Sequence, residues 1–286
     1  MAKYIGTYAT SGDVQTALNE QELSRPFIAY TTDNKKVIYG STADRAEAGD
    51  IVVYSVADDL LHYIKKADYN TTSYPAADYE PVGVVAYPQN DDAILGPSGE
   101  ITFMGLNWLD RILPDYGNKG NGYHAETFMV PKIDVPELTN YTSSGTAITD
   151  MNGKANTEIY LAYATGQTDW RTASAITING LDGIVPACEL AWRYHTSGTV
   201  QGDWYMPAAG QVYGSIMSYF DLINESLTLA NGAPFQNNNK NIWSSTENGT
   251  AMWCLYDSLD FMKTYDKALS NFVQARAFCS KLMTRI

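Results

Sequence analysis

Charge is scarce in this chain and cysteine scarcer. Asp, Glu, Lys and Arg make up only 18% of the 286 residues against 45% hydrophobic ones, a balance that excludes a disordered chain. Three cysteines occur, Cys188, Cys254 and Cys279, none in the CxxC spacing that a zinc site would need, so no metal is expected on them. Their odd number and sparse use favour buried free thiols. Basic residues are outnumbered 32 to 19, and the net charge of −13 sets the average field against nucleic acid and anionic membrane surfaces as partners. No run approaches ~18 apolar residues, which excludes membrane insertion through an apolar span. The opening MAKYIGTYATSGD has no basic stretch followed by an apolar run of ~7 to 15 residues, so export by the general secretory route is not expected.

The chemistry-bearing patterns are missing too. His62, His124 and His195 lie in separate segments with no partner at H-E-x-x-H or other metal-ligand spacing, and G-x-S-x-G is absent. The acid pairs Asp58-Asp59 and Asp91-Asp92 stand in turn-like surroundings that suit solvated surface. No glycine set with phosphate-binding spacing joins a strand to a helix. The expectation is therefore no enzyme, no catalytic residue, no metal and no cofactor.

What is present is length, aromatic residues and alternating short apolar runs. At 286 residues the chain exceeds a single domain of about 100 to 200 residues, which predicts two domains and a terminal segment, α+β overall. The 21 Tyr and 6 Trp imply broad amphipathic surfaces. Residues 1–40 read as a small attachment segment. It has a short helix over GDVQTALNEQELS (12–24), then strands PFIAYTT and KKVIYGS joined at Asp33-Asn34. Residues 41–139 read as a β-rich domain, a small antiparallel sandwich or barrel with strands in AGDIVVYSV, LLHYIKK, PVGVVAYP and GEITFMGL. YNTTSYPAADY and PDYGNKGNGYHAE are loops by composition. The Ser, Thr, Gly and Asn of NYTSSGTAITDMNGKANT (140–157) mark a boundary, beyond which residues 140–286 form an α+β domain. Apolar spacing predicts helices there in NTEIYLAYATG, in IVPACELAWRYHT with Leu190 and Tyr194 at i,i+4, and in QVYGSIMSYFDLINESL with Val212, Ile216, Phe220 and Ile223 on one face.

Within that last domain four motifs follow one another: GDWYMPAAG at 202–210, IWSSTE at 242–247, Ala251-Met252-Trp253, and VQARAFC at 273–279. Trp204 and Trp243 are large apolar bodies with one donor each, suited to burial beside short strands, and Pro207 rigidifies the turn before a helix. Ser244, Ser245, Thr246 and Glu247 supply hydroxyls and a carboxylate that can satisfy backbone groups in a loop-rich fold. This ordered set, preceded by DMNGKANT, resembles the C-type-lectin-like domains of the Lcl and fibrobacter-paralogue type. The resemblance covers roughly half the chain. It implies a framework role for Trp204, Pro207, Trp243, Ser244, Ser245, Thr246, Glu247, Trp253 and Arg276. In the calcium-dependent relatives a Glu-Pro-Asn or Gln-Pro-Asn triplet and a Trp-Asn-Asp triplet hold the metal that holds the sugar. Neither occurs here; Trp243-Ser244-Ser245 lacks the Asn and Asp ligands, so calcium-dependent binding does not carry over. Candidate ligand contacts are then Asn237, Asn238 and Asn239, in a loop expected from Asn224 to Asn241, together with Glu247 and Asn248; a solvated surface loop is the competing reading. Cys188 and Cys279 occupy places where many lectin-like domains close a disulfide, an alternative to two buried thiols.

Residues 4–30, YIGTYATSGDVQTALNEQELSRPFIAY, and the stretch from AGDIVVYSV through YEPVGVVAY at 48–87 resemble the opening of virion surface proteins of phages of gut Bacteroidales, crAss-like phages among them. Related openings also occur in chromosomal proteins of the same bacteria. The resemblance implies a capsid head fibre, made in the host cytoplasm and carried on the virion surface. Its N-terminal region would contact capsid proteins, and its lectin-like tip would meet cell-surface or mucin glycans. It would assemble with itself, as a trimer in preference to a dimer. A bacterial surface adhesin and a phage tail adhesin are the alternatives.

Overall fold

The computed structural model describes residues 3–8, 27–31, 36–40, 45–88, 100–109, 134–165, 187–235, 242–256, 261–267 and 273–286. The helix expected over 12–24 and the loop 114–126 lie outside these residues.

Near the N-terminus β1 (Lys3–Tyr8), β2 (Phe27–Thr31) and β3 (Lys36–Gly40) form a three-stranded sheet, β1 parallel and β3 antiparallel to the central β2. The four strands expected next are present as β4 (Ile51–Ser55), β5 (Leu60–Ile64), β6 (Tyr79–Val85) and β7 (Glu100–Gly105), where β-branched and aromatic runs are bounded by turns. Helices follow: α1 (Ser144–Ala147), α2 (Gly153–Thr165), α3 (Ala187–Arg193) and, after β8 (Trp204–Tyr205), α4 (Ala209–Leu229). The chain ends in β9 (Ile242–Asn248), β10 (Ala251–Tyr256), β11 (Phe261–Asp266), β12 (Phe278–Leu282) and β13 (Thr284–Arg285). With helices and mostly antiparallel sheets, the fold is α+β.

One sequence expectation gives way here. Among the described residues, 48–88 and 100–109 form no sandwich or barrel of their own. Their four strands join three from the far end of the chain in one sheet, ordered β13-β5-β4-β6-β7-β12-β8. They join through two ladders, β13 running parallel to β5 at one side and β12 antiparallel to β7 at the other, where Phe103 stands opposite Cys279 and Met104 opposite Phe278. The boundary expected at 139/140 thus falls between neighbouring strands of a single sheet. The physical reason is visible in β4. Ile51, Val52 and Val53 are all 0% exposed, so both sheet faces need a cover. On one face Val52, Phe103, Trp204 and Cys279 pack with Tyr160 and Leu161 of α2 and Cys188 and Ala191 of α3. On the other, Ile51, Val53, Val84 and Met104 pack with Val212, Ile216, Ile223 and Leu227 of α4. Phe220 is only partly buried against that second face.

Within residues 140–157, read from the sequence as a boundary, lie α1 and the start of α2. Ser143 caps α1, its Oγ accepting from the Thr146 N–H at 3.3 Å, which is the use that helix N-termini make of serine.

A second three-stranded sheet has the order β11-β10-β9. Along β10 the side chains alternate between the two cores, Met252 and Cys254 entering one, Trp253 and Leu255 the other.

Candidate functional site

The polar residues of IWSSTE converge where β9 passes the N-terminus of α4. Residues 242–247 of β9 are buried throughout, so each hydroxyl needs a partner inside the protein. Ser244 Oγ donates to the Trp253 carbonyl at 2.6 Å and ties β9 to β10. Ser245 donates twice across to the GDWYMPAAG segment, from its N–H to the Pro207 carbonyl at 2.8 Å and from Oγ to the Met206 carbonyl at 3.1 Å. Thr246 Oγ1 stands in the centre: it accepts from the Ala209 N–H at 2.7 Å and donates to Asp150 Oδ2 at 2.7 Å.

Asp150, itself 2% exposed, also accepts from Asn156 Nδ2 and from the Asn152 N–H, so one carboxylate orients the start of α2 and, through Thr246, the start of α4. At that N-terminus Gln211 Oε1 accepts the Ala208 N–H at 2.9 Å, satisfying a donor that Ala208 cannot cap with its own side chain. The motif is a buried clamp in which every hydroxyl is engaged.

Glu247 continues the same strand and is 1% exposed. Its Oε1 accepts the Val135 N–H at 3.0 Å and meets Lys267 Nζ, while the buried Oε2 has no hydrogen-bond partner among the described residues. Both side chains of the Glu247–Lys267 pair are 0% exposed, and the ammonium lies 5.4 Å from the Tyr160 ring centroid. Burial pushes the Glu247 carboxyl up and the Lys267 ammonium down from their ordinary values, each opposed by the attraction of the other. Sequence reasoning did not single out Lys267: a lone lysine in TYDKALS carries no pattern that marks it as buried.

Arg276 belongs to the other core face. It is 0% exposed, and its guanidinium donates from Nη1 to the Gly105 and Leu106 carbonyls at 3.0 and 3.1 Å and from Nη2 to the Ala233 carbonyl. Burial lowers its pKa to about 9, which leaves it charged at neutral pH. Trp204 is also 0% exposed, its Nε1 donating to Thr199 Oγ1 at 2.9 Å, with Phe103 and Tyr194 edge-on to it at 5.1 and 4.8 Å. Trp243 is 0% exposed, and Trp253 Nε1 donates to the Tyr141 carbonyl at 2.8 Å.

Asn237, Asn238 and Asn239 lie outside the described residues. The loop expected to begin at Asn224 begins later, because α4 runs on to Leu229. Asn224 faces inward instead, its Oδ1 accepting the Phe235 N–H at 2.7 Å and its Nδ2 donating to the Phe235 carbonyl at 3.0 Å. Glu247 is closed to solvent, and Asn248, half-buried, ends β9 before the Gly249-Thr250 turn.

Cys188, Cys254 and Cys279 are free and buried, and burial pushes all three thiols well up from their ordinary values. His62 bridges Asp58 at 2.8 Å and Thr284 at 3.0 Å, and His195 Nδ1 lies 3.0 Å from the Arg193 carbonyl. Among the described residues no group of three or more His, Cys, Asp or Glu could hold a metal ion, and no helix is long and apolar enough to cross a membrane.

No protein-family model and no curated protein matches the chain. Among solved structures it is similar to a fimbrial protein from Bacteroides ovatus ATCC 8483, with 17% identity and a TM-score of 0.44. The match covers 88% of this chain and 52% of that one, so the chain spans about half the length of its neighbour.

Proposed function

We propose that this chain is a phage virion structural protein, a capsid head fibre whose C-terminal half is a C-type-lectin-like tip that meets host-surface or mucin glycans. The observation that carries the display reading is the clamp around Thr246: the hydroxyls that stand out in the sequence are used up inside the protein, as in a scaffold. Support for the lectin-like assignment comes from the ordered GDWYMPAAG, IWSSTE, Ala-Met-Trp and VQARAFC motifs, whose members meet in space around β9 and the start of α4. The virion assignment rests on the resemblance of residues 4–30 and 48–87. It is favoured by an N-terminal sheet that pairs only within itself among the described strands, as a separate attachment unit would. A fibre gains avidity from several tips, so the assembly proposed is a homotrimer.

Antibody-labelled electron microscopy of purified particles tests this reading. Label on the capsid shell supports a head fibre, label at the tail assigns a tail adhesin, and label on bacterial cells in the absence of phage assigns a bacterial surface adhesin.

A further inference from the structure

The seven-stranded sheet and the N-terminal sheet treat their edges in opposite ways. In the first, the outermost ladders share one run of chain: β12 pairs with β7 through Leu282, and β13 pairs with β5 from Thr284, with Met283 alone between. In a flat sheet of that order these two strands would lie about 24 Å apart, whereas Leu282 and Thr284 can be separated by about 7 Å at most. The sheet is therefore curled until the run β12–β13 closes it. Among the described strands the two-residue β8 alone extends past the closure, so this sheet offers a second chain almost no edge.

The N-terminal sheet is open by the same test. β2 carries a ladder on each side, while β1 and β3 carry one each among the described strands, leaving edges of six and five residues. The three middle rows of its register, Tyr4–Ile28–Tyr39, Gly6–Ala29–Ile38 and Thr7–Tyr30–Val37, hold no charged residue. Charge sets the whole segment apart as well. Residues 1–40 balance Lys3, Arg25, Lys35 and Lys36 against Asp13, Glu20, Glu22 and Asp33, so the other 15 basic and 28 acidic residues carry the entire net charge of −13.

We propose that this sheet is the self-association surface of the chain, β3 of one copy pairing with β1 of the next to close a ring of three. Strand direction permits it. β1 and β2 run the same way and β3 the opposite way, so β3 laid beside a neighbouring copy's β1 forms an antiparallel ladder. Head-to-tail joining uses both edges of every copy, whereas a two-fold β1–β1 or β3–β3 pairing leaves half of them open. Electrostatics favours the same place: copies repel one another through the acidic remainder, and the neutral segment meets no such opposition.

The proposal deepens the homotrimer part of the function above and rests on that part alone; the virion location is decided separately by microscopy. The test uses the full chain. Native mass spectrometry is expected to give three times the 31.5 kDa chain mass. Thr7→Cys is then combined in turn with Val37→Cys, Ile38→Cys and Tyr39→Cys, which cover neighbouring registers, and each protein is oxidised after circular dichroism has matched it to the parent. Strands on either side of β2 lie about 9 to 10 Å apart, beyond disulfide reach, while adjoining strands of two copies lie about 5 Å apart, within it. At least one pair should therefore give covalent dimers and trimers on a non-reducing gel. Thr7→Cys alone should give none, and the native thiols are buried. A monomer overturns the proposal together with the homotrimer. A trimer that none of the three pairs crosslinks overturns the edge joining and leaves the homotrimer standing. Covalent dimers from Thr7→Cys alone also overturn it, assigning a two-fold β1–β1 contact.

Discussion

Arg276 lies over Trp108, its guanidinium carbon 4.3 Å from the ring centroid, with the Phe235 ring 4.5 Å away. Its hydrogen bonds go to main-chain carbonyls of β7's end and of the segment after α4. The cation therefore joins three chain segments that are far apart in sequence, through a planar donor set that lysine cannot reproduce. Arg276→Lys is expected to cost about 2 kcal/mol or more, and Arg276→Ala about 3 to 5 kcal/mol, since carbonyls and a cavity are left behind. Urea denaturation of the three proteins checks the ranking.

Glu247 and Lys267 predict a different pattern. Removing either partner leaves a buried charge alone, so Glu247→Leu and Lys267→Met should each destabilise by about 3 to 5 kcal/mol. The double variant should recover that loss in full and match or exceed the parent, because apolar side chains replace a desolvated ion pair. A carboxyl raised on folding contributes stability that declines as pH rises from the unfolded value, and a lowered ammonium one that declines as pH falls from its own. Both leave the ion pair at its least favourable near neutrality. The advantage of the double variant over the parent is expected to be largest there and to shrink as pH falls through the raised Glu247 range. Stability measured as a function of pH in both proteins would show a parallel offset instead if the pair did not titrate this way.

Thr246 is isosteric with valine, which makes the clamp testable without a volume change. Thr246→Val leaves the Ala209 N–H without its acceptor and Asp150 without one of its donors, both in buried surroundings. A loss of about 2 to 4 kcal/mol is expected, and Thr246→Ser should lose less than half of it. Chemical denaturation decides.

How far such features could be foreseen depends on their range. The runs IVVYS, LLHYI, YEPVGVV and EITFMG announce strands because β-branched and aromatic residues sit between turn formers, and α4 announces itself by Val212, Ile216 and Ile223. The merger of both halves into one sheet has no local mark, for nothing near Phe103 says that Cys279 will lie opposite. Likewise WSSTE reads as a source of buried hydroxyls, but their partners, Pro207, Met206, Asp150 and Ala209, depend on long-range assembly. Lys267 escapes notice for the same reason: its burial is defined by its neighbour Glu247, not by a pattern.

Gly210 closes the GDWYMPAAG motif without needing an unusual backbone angle; its requirement is space. A Cβ there would stand 2.4 Å from the Ile148 carbonyl oxygen and 2.6 Å from that of Asp150, and the Gly210 N–H donates to the Asp150 carbonyl at 2.9 Å. The obstacles are main-chain atoms, which cannot rotate aside. Gly210→Ala is expected to cost about 2 kcal/mol or more, despite alanine's better helix propensity. Gly214→Ala, four residues along the same helix, meets only the Tyr87 ring edge at 3.6 Å and should be neutral or slightly stabilising. Thermal unfolding of the two variants side by side separates close approach from propensity, since propensity alone would move both melting temperatures upward.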